Sequence, residues 1–187
     1  MTPVLPSATS TPSDLHSEHA FRPPDVNDGV RLWEVARDSG VLDVNSSYSY
    51  LLWCRDFAAT SVVAVDRRDR PVGFVTGYLR PDAPTTVFVW QVAVDAAYRG
   101  RGLAGGMLDA LLDRVVREAG VTTLETTVSP DNPASIATFT ALARRRGTDI
   151  VRSDLFAAGQ FPDAHQPEHL YTVGPVAPTT LDSQETP

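Results

Sequence analysis

A single cysteine, Cys54, stands among the 187 residues. It excludes an internal disulfide and fits a reducing compartment. No apolar run approaches the ~18 residues of a membrane span, so no spanning helix and no membrane partner are expected. The start of the chain lacks the basic and apolar regions of a secretion signal, which makes the cytoplasm the expected location. Basic residues are few: 16 Lys and Arg face 23 Asp and Glu, for a net charge of −7. Nucleic-acid binding needs a basic face and is excluded as a class. The longest basic run, Arg144-Arg145-Arg146, suits the negative end of a helix. His16, His19, His165 and His169 form no ligand spacing with carboxylates, and no metal centre is expected. An acidic balance is compatible with a small cationic substrate, although most acidic proteins are simply soluble.

What is present is enough for one core. Apolar residues make up 42% of the chain, and a single domain typically takes about 100–200 residues. Residues 1–20 and 175–187 are rich in Ser, Thr and Pro and predict disordered tails around a domain at 21–174. Phe21-Arg22 ends a short first strand. Asp25 and Asp28 cap a helix that carries Val30, Trp33 and Ala36 inward and stops at Gly40. Asn45-Ser46-Ser47 caps a second helix bearing Leu51, Cys54 and Phe57. Ser61–Val65, Val72–Leu79 and Thr86–Val94 then read as strands with short charged or proline-containing connections, which predicts an antiparallel meander. Leu103, Met107, Leu108, Leu111, Leu112, Val115 and Val116 form one helical stripe ending at Gly120. Val121–Val128 is a strand, and Asn132-Pro133 opens a last helix. An irregular stretch from Arg152 to Pro167 leads to a final strand, His169–Val173. The order predicts an α/β protein with a mixed, mostly antiparallel central sheet flanked by helices.

The segment with most chemistry runs from Val92 to Ala104, with Arg99-Gly100-Arg101-Gly102 at a strand–helix junction. Glycines before an amphipathic helix let backbone N–H groups approach an anion at the helix's positive end. A glycine turn with solvated arginines is the plain alternative. Gly100-x-Gly102-x-x-Gly105 also matches a dinucleotide fingerprint, with Glu125 at the spacing of its acidic residue. Against that reading, a meander precedes the glycines, Asp95 to Tyr98 separate them from the strand, and Glu125 lies inside a strand.

Arg99-Gly100-Arg101-Gly102-Leu103-Ala104 resembles the coenzyme A pyrophosphate loop of the GNAT superfamily, whose pattern is Q/R-x-x-G-x-G/A. The resemblance implies the GNAT fold and acetyl-coenzyme A as cosubstrate. It also implies that the backbone of Gln91, Val92 and Val94 pairs with the pantetheine arm, and that Asn132 and Ser135 contact the coenzyme. Phe139 falls where many members carry the tyrosine that protonates the leaving thiolate, and a phenyl ring cannot do this.

Other segments narrow the match. Leu42-Asp43-Val44-Asn45-Ser46-Ser47-Tyr48-Ser49-Tyr50-Leu51-Leu52, Phe88-Val89-Trp90-Gln91-Val92-Ala93-Val94 and Glu125-Thr126-Thr127-Val128-Ser129-Pro130-Asp131-Asn132 are similar to signatures of the diaminobutyrate acetyltransferases of ectoine biosynthesis. That resemblance covers about Phe21 to Val173 and implies acetylation of the 4-amino group of L-2,4-diaminobutyrate by a homodimer. The family's acidic stretch after His165 is reduced here to Gln166-Pro167-Glu168-His169. An alkylammonium with a pKa near ~10 must lose a proton before it attacks a thioester, so the site needs a carboxylate or a water route to one. Glu125 and Asp43 are the candidates for holding the ammonium groups and moving that proton. A charge at Glu125, between Thr and Val on a strand, calls for a partner; Asp43 also reads as a turn or cap residue. Trp90 reads as an apolar or cation–π wall or as core. Of Tyr48 and Tyr50, two apart on a helix, one faces the substrate and the other packs. His165 reads as a cover over the site or as an ordinary surface histidine. Another small amine or a protein N-terminus as substrate, and a non-catalytic acetyl-coenzyme A sensor, remain as alternatives.

Overall fold

The computed structural model describes residues 19–40, 42–162 and 165–177. Among these described residues seven strands form one sheet in the order β1-β2-β3-β4-β5-β7-β6. They are β1 (Ala20–Arg22), β2 (Val62–Val65), β3 (Pro71–Arg80), β4 (Ala83–Val94), β5 (Thr123–Val128), β6 (Asp149–Phe156) and β7 (Glu168–Gly174). Only β4 and β5 pair in parallel, joined by α3 (Leu103–Ala119) as the crossover. The other neighbours are antiparallel. The expected mixed, mostly antiparallel sheet is the one observed.

Both faces of the sheet are covered, so central strands alternate between two cores rather than between core and water. Val62, Ala64 and Val75 join Val87, Val89 and Leu124 under α3 and α4 (Pro133–Arg145), whose Leu108, Leu111, Leu112 and Leu142 are fully buried. Val63, Val65, Phe74 and Ala93 face the other way, under α1 (Gly29–Ser39) and α2 (Ser47–Asp56). That two-sided burial is why β2 reads Val-Val-Ala-Val without a polar residue. Truncating one such leucine to alanine typically costs about 2–5 kcal/mol.

Helix boundaries follow their caps, but one predicted face is rotated. Asp25 and Asp28 form a capping box around a 3₁₀ turn, Val26–Asp28, and α1 starts one residue later at Gly29. The inward face of α1 is therefore Leu32, Val35 and Ala36, while Val30 is exposed. Ser46 caps α2, which buries Tyr50 and Cys54 and leaves Phe57 past its end. Burial pushes the Cys54 thiol up to about 12, so it holds no thiolate at neutral pH.

The stretch from Arg152 is not irregular throughout, as the sequence suggested. Arg152 to Phe156 belong to β6, which pairs along β7 from Asp149↔Gly174 to Phe156↔Glu168. β6 is the sheet edge and nearly all its residues are exposed. With no buried face it carries no alternation to read. The described elements reach past both expected domain limits: Ala20 pairs with Val65, and Val176 is buried with its amide bonded to the Thr122 carbonyl at 2.8 Å. The rest of the two expected tails, residues 1–18 and 178–187, lies outside the described residues.

One irregularity positions the site. Thr76 pairs with Gln91 and Gly77 with Val89, so Trp90 is an extra residue in β4, a bulge. Gly77 permits it, since a Cβ there would stand 2.8 Å from the Phe88 carbonyl oxygen and 3.0 Å from that of Thr60. The parallel ladder between β4 and β5 covers Thr86–Val89 against Thr123–Thr126 and goes no further. Beyond the bulge the two strands separate. Half of the backbone groups from Gln91 to Val94 then point into a split that β5 does not fill.

Candidate functional site

A cavity of about 830 Å³ runs through that split, within the range usual for small-molecule sites. It is lined on the α3/α4 side by Ser129, Asn132, Ser135 and Phe139. On the α1/α2 side it is lined by Asp43, Trp90, Glu125, His165 and Glu168. Gln91 and Val92 lie between the two halves. The sheet is thus open from one face to the other at the point where β4 and β5 part.

On the first side, Asp95 accepts from the Ala97 amide at 3.0 Å and turns the chain out of β4. Gly100 and Gly102 have φ of 75° and 76°, and α3 begins at Leu103. These left-handed positions suit glycine and aim the first unpaired amides of α3 outward, as an anion site requires. Arg99 donates to the Val94 carbonyl at 3.1 Å, and the Arg101 guanidinium sits 5.2 Å over the Tyr98 ring. Val94 and the loop from Arg99 to Ala104 lie outside the cavity lining, beyond its end. Asn132 caps α4 by accepting from the Ser135 amide at 3.1 Å, so both residues also have a structural task. Phe139 is buried in the cavity wall. The residues present fit a nucleotide-thioester coenzyme: free strand edge, glycine turn, helix start and two arginines follow one another along the chain.

Gln91 divides into two roles. Its side chain accepts from the Tyr50 hydroxyl at 3.0 Å and donates to the Asp43 carbonyl at 3.0 Å. Its backbone faces Thr76 of β3, so, against the expectation from sequence, the free backbone groups in the split belong to Val92 and Val94 and not to Gln91. Tyr50 is buried and Tyr48 is exposed, opposite placements that their spacing on α2 dictates, and neither lines the cavity. Tyr50 reaches the site through Gln91.

On the second side the acidic groups converge. The Glu125 side chain is 13% exposed and accepts from Arg80 Nη1 at 2.9 Å; the same guanidinium donates to Asp82 at 2.8 Å. The cation that the strand position of Glu125 called for is therefore Arg80. Trp90, 50% exposed on its bulge, stands 5.9 Å from the ring of Trp53. Asp43, 91% exposed, lies 3.6 Å from His165 Nε2. His165 stacks on Phe161 at 4.3 Å and donates from Nδ1 to the Gln166 carbonyl at 2.6 Å. That bond, with the Asp43 and Glu168 carboxylates nearby, raises the imidazole above its ordinary pKa.

Glu168 and Arg80 are the site residues that sequence reading missed. Glu168 is 19% exposed and stands 4.0 Å from His165 Nε2. Burial raises its carboxyl, against a lowering hydrogen bond from Thr127. A signal existed: Glu168 opens β7 in step with Leu170, which also lines the cavity. Arg80 likewise follows Tyr78, another lining residue, at the two-residue period of β3. No cluster of His, Cys, Asp and Glu suited to a metal ion occurs among the described residues.

Comparison with known proteins agrees with this geometry. The model of the acetyltransferase (GNAT) family matches residues 29–143. The chain is 58% identical to the L-2,4-diaminobutyric acid acetyltransferase of Streptomyces coelicolor, over 90% of this chain and 98% of that one. It is 56% identical to the protein of the same name from Streptomyces avermitilis, over 90% of this chain and 99% of that one. Among solved structures it is similar to the diaminobutyrate acetyltransferase of Paenibacillus lautus in complex with L-2,4-diaminobutyric acid and coenzyme A. The TM-score is 0.79 and the identity 39%, over 84% of this chain and 95% of that one.

Proposed function

Because the chain belongs to the GNAT acetyltransferase family, and within it to the L-2,4-diaminobutyric acid acetyltransferases, we infer that it acetylates L-2,4-diaminobutyrate. The acetyl donor is acetyl-coenzyme A, the acceptor is the 4-amino group, and the product is N4-acetyl-L-2,4-diaminobutyrate, made for ectoine biosynthesis. The observation that carries this is the cavity threaded through the sheet. A phosphate-type loop lies past one end and carboxylates that suit a diamine line the other.

The coenzyme supplies an activated acyl thioester. Its arm is held by the free edge of β4 at Val92 and Val94, and its pyrophosphate by the amides after Gly102, with Arg99 and Arg101 adding charge. Asn132 and Ser135 flank the arm at the start of α4. The diamine enters from the α1/α2 side, where Asp43, Glu125 and Glu168 suit two ammonium groups and Trp90 walls the carbon chain. Glu168 takes the proton from the 4-ammonium. Its raised pKa brings it nearer to the amine than an ordinary carboxylate, which favours that transfer. The freed nitrogen then bonds to the acyl carbon as the carbon–sulfur bond breaks, and the second proton that the nitrogen sheds passes to the departing sulfur. A thiolate with a cysteine-like pKa near ~8.5 leaves without a strong acid, consistent with phenylalanine at 139.

The exposed Val151, Leu155 and Phe156 of edge strand β6 support a homodimer built on that edge. No helix among the described residues is long and apolar enough to cross a membrane, and the lone, unpaired cysteine supports a cytoplasmic location.

The test is thiol release from acetyl-coenzyme A with 2,4-diaminobutyrate, ornithine, lysine and a peptide, locating the acetylated nitrogen by NMR. Turnover confined to 2,4-diaminobutyrate, on its 4-nitrogen, is expected. Turnover on a different amine would replace the substrate, and coenzyme binding with no turnover would replace the activity by a sensor.

A further inference from the structure

Arg80 has no role in the reading above beyond pairing with Glu125. Among the described cavity lining it is the one side chain with a permanent positive charge, set among Asp43, Glu125, Glu168 and a histidine. Two of its five N–H groups are used, on Glu125 at 2.9 Å and Asp82 at 2.8 Å. The pair with Glu125 is part-buried, with side-chain exposures of 34% and 13%, so a cation must take the place of the guanidinium on that carboxylate if the guanidinium turns away. Arg80 ends β3 and reaches across β4 to β5, its guanidinium coming from the same sheet face as Tyr78 and Phe88, whose tilted rings lie 5.3 Å apart.

The charge balance gives this placement a purpose. L-2,4-diaminobutyrate carries two ammonium groups and one carboxylate, and three carboxylates of the cavity match the former. The substrate's carboxylate needs a cation, or it would be held against like charge. His165 is poorly placed to supply it, since it stands between Asp43 at 3.6 Å and Glu168 at 4.0 Å. A guanidinium, with its planar fork, binds a carboxylate through two parallel hydrogen bonds.

We propose that Arg80 is the specificity residue that recognises the substrate's carboxylate, and so distinguishes the amino acid from a plain diamine. This rests on the diaminobutyrate activity inferred above. Glu125 holds the guanidinium at the cavity wall. When the diamine binds, its ammonium competes for Glu125, and the N–H groups of Arg80 turn to the carboxylate while Asp82 keeps the side chain anchored. The choice of nitrogen follows: fixing the carboxylate and the adjacent amine leaves the distal amine to reach the split.

The test compares 2,4-diaminobutyrate with 1,3-diaminopropane, which has the same carbon chain between its amines and lacks the carboxylate. Wild-type enzyme is expected to prefer the amino acid. Arg80→Gln is expected to lower kcat/KM for diaminobutyrate by about 10- to 100-fold, mainly through KM, while changing that for diaminopropane by less than about threefold. Arg80→Lys, which keeps the charge and loses the fork, is expected to fall between. Equal losses on both substrates would overturn the proposal and make Arg80 a support for Glu125 or for the fold; so would full use of diaminobutyrate by Arg80→Gln. Should circular dichroism show that Arg80→Gln does not fold, Arg80→Lys decides, an unchanged substrate ratio being the overturning result. Wild-type enzyme inactive on diaminobutyrate would instead overturn the activity, which separates the two failures.

Discussion

Glu168 and Glu125 are two carboxylates in one cavity with different surroundings. Glu125 faces a guanidinium, whereas Glu168 is half-buried beside a hydroxyl and a histidine, and partial burial raises its carboxyl. A carboxylic acid accepts a proton only once ionised. A base whose pKa is raised is therefore inactive below that pKa and becomes active as pH rises through it. The acid limb of kcat/KM for diaminobutyrate is expected to lie above the usual carboxylate value of ~4.3, and Glu168→Gln is expected to remove it. The same variant should lose about 10²- to 10⁴-fold in kcat, the range of general base catalysis, with coenzyme affinity unchanged. An acid limb that persists in Glu168→Gln, measured from pH 5 to 9, would assign the proton to another group. Glu125 was legible because a charge inside a Thr and Val strand needs a reason. Glu168 was legible only through its two-residue step from Leu170, because the segment before it reads as a loop and pairing with β6 is what extends β7 back to it.

At the level of elements, the bulge at Trp90 and the glycine turn before α3 do complementary work: one opens the sheet, the other aims amides past the end of the opening. Gly102 has φ 76° with nothing within 4 Å of a hypothetical Cβ. A side chain there costs conformation rather than packing, about 1–2 kcal/mol. Gly102→Val should therefore melt at a modestly lower temperature, yet lose most of its affinity for acetyl-coenzyme A, as read by calorimetry. Full coenzyme affinity in a folded variant would move the phosphate site elsewhere. The loop was legible because glycines and arginines before an amphipathic stripe carry their own explanation. The bulge was not. Phe88-Val89-Trp90-Gln91-Val92 reads as an unbroken strand, and the extra residue shows only when β4 is set in register against β3.

Across the whole molecule the sheet ends in two unlike edges, a three-residue strand β1 and an eight-residue strand β6. A long edge that exposes Val151, Leu155 and Phe156 is a template for pairing unless something covers it. Leu155 and Phe156 also line the cavity, so a partner seated there would adjoin the substrate side of the site. Sedimentation of the wild-type chain is expected to give twice its own mass. Val151→Lys is expected to give a monomer with its fold retained and its KM for the diamine raised. A wild-type monomer at micromolar concentration would remove the dimer from the account.

The sequence by itself determined the order of the elements other than β6, the glycine turn before α3, and Asp43, Trp90, Glu125 and His165, which the cavity gathers. Caps, glycine turns and apolar stripes are local, and their cause is written within a few residues. Tertiary structure alone decided β6, the inward face of α1, the bulge at Trp90, and the arrival of Arg80 and Glu168 at one cavity. Each depends on which strand lies beside which and in what register. β6 is a strand because β7 supplies its hydrogen bonds, and the cavity exists because β4 parts from β5 after Val89.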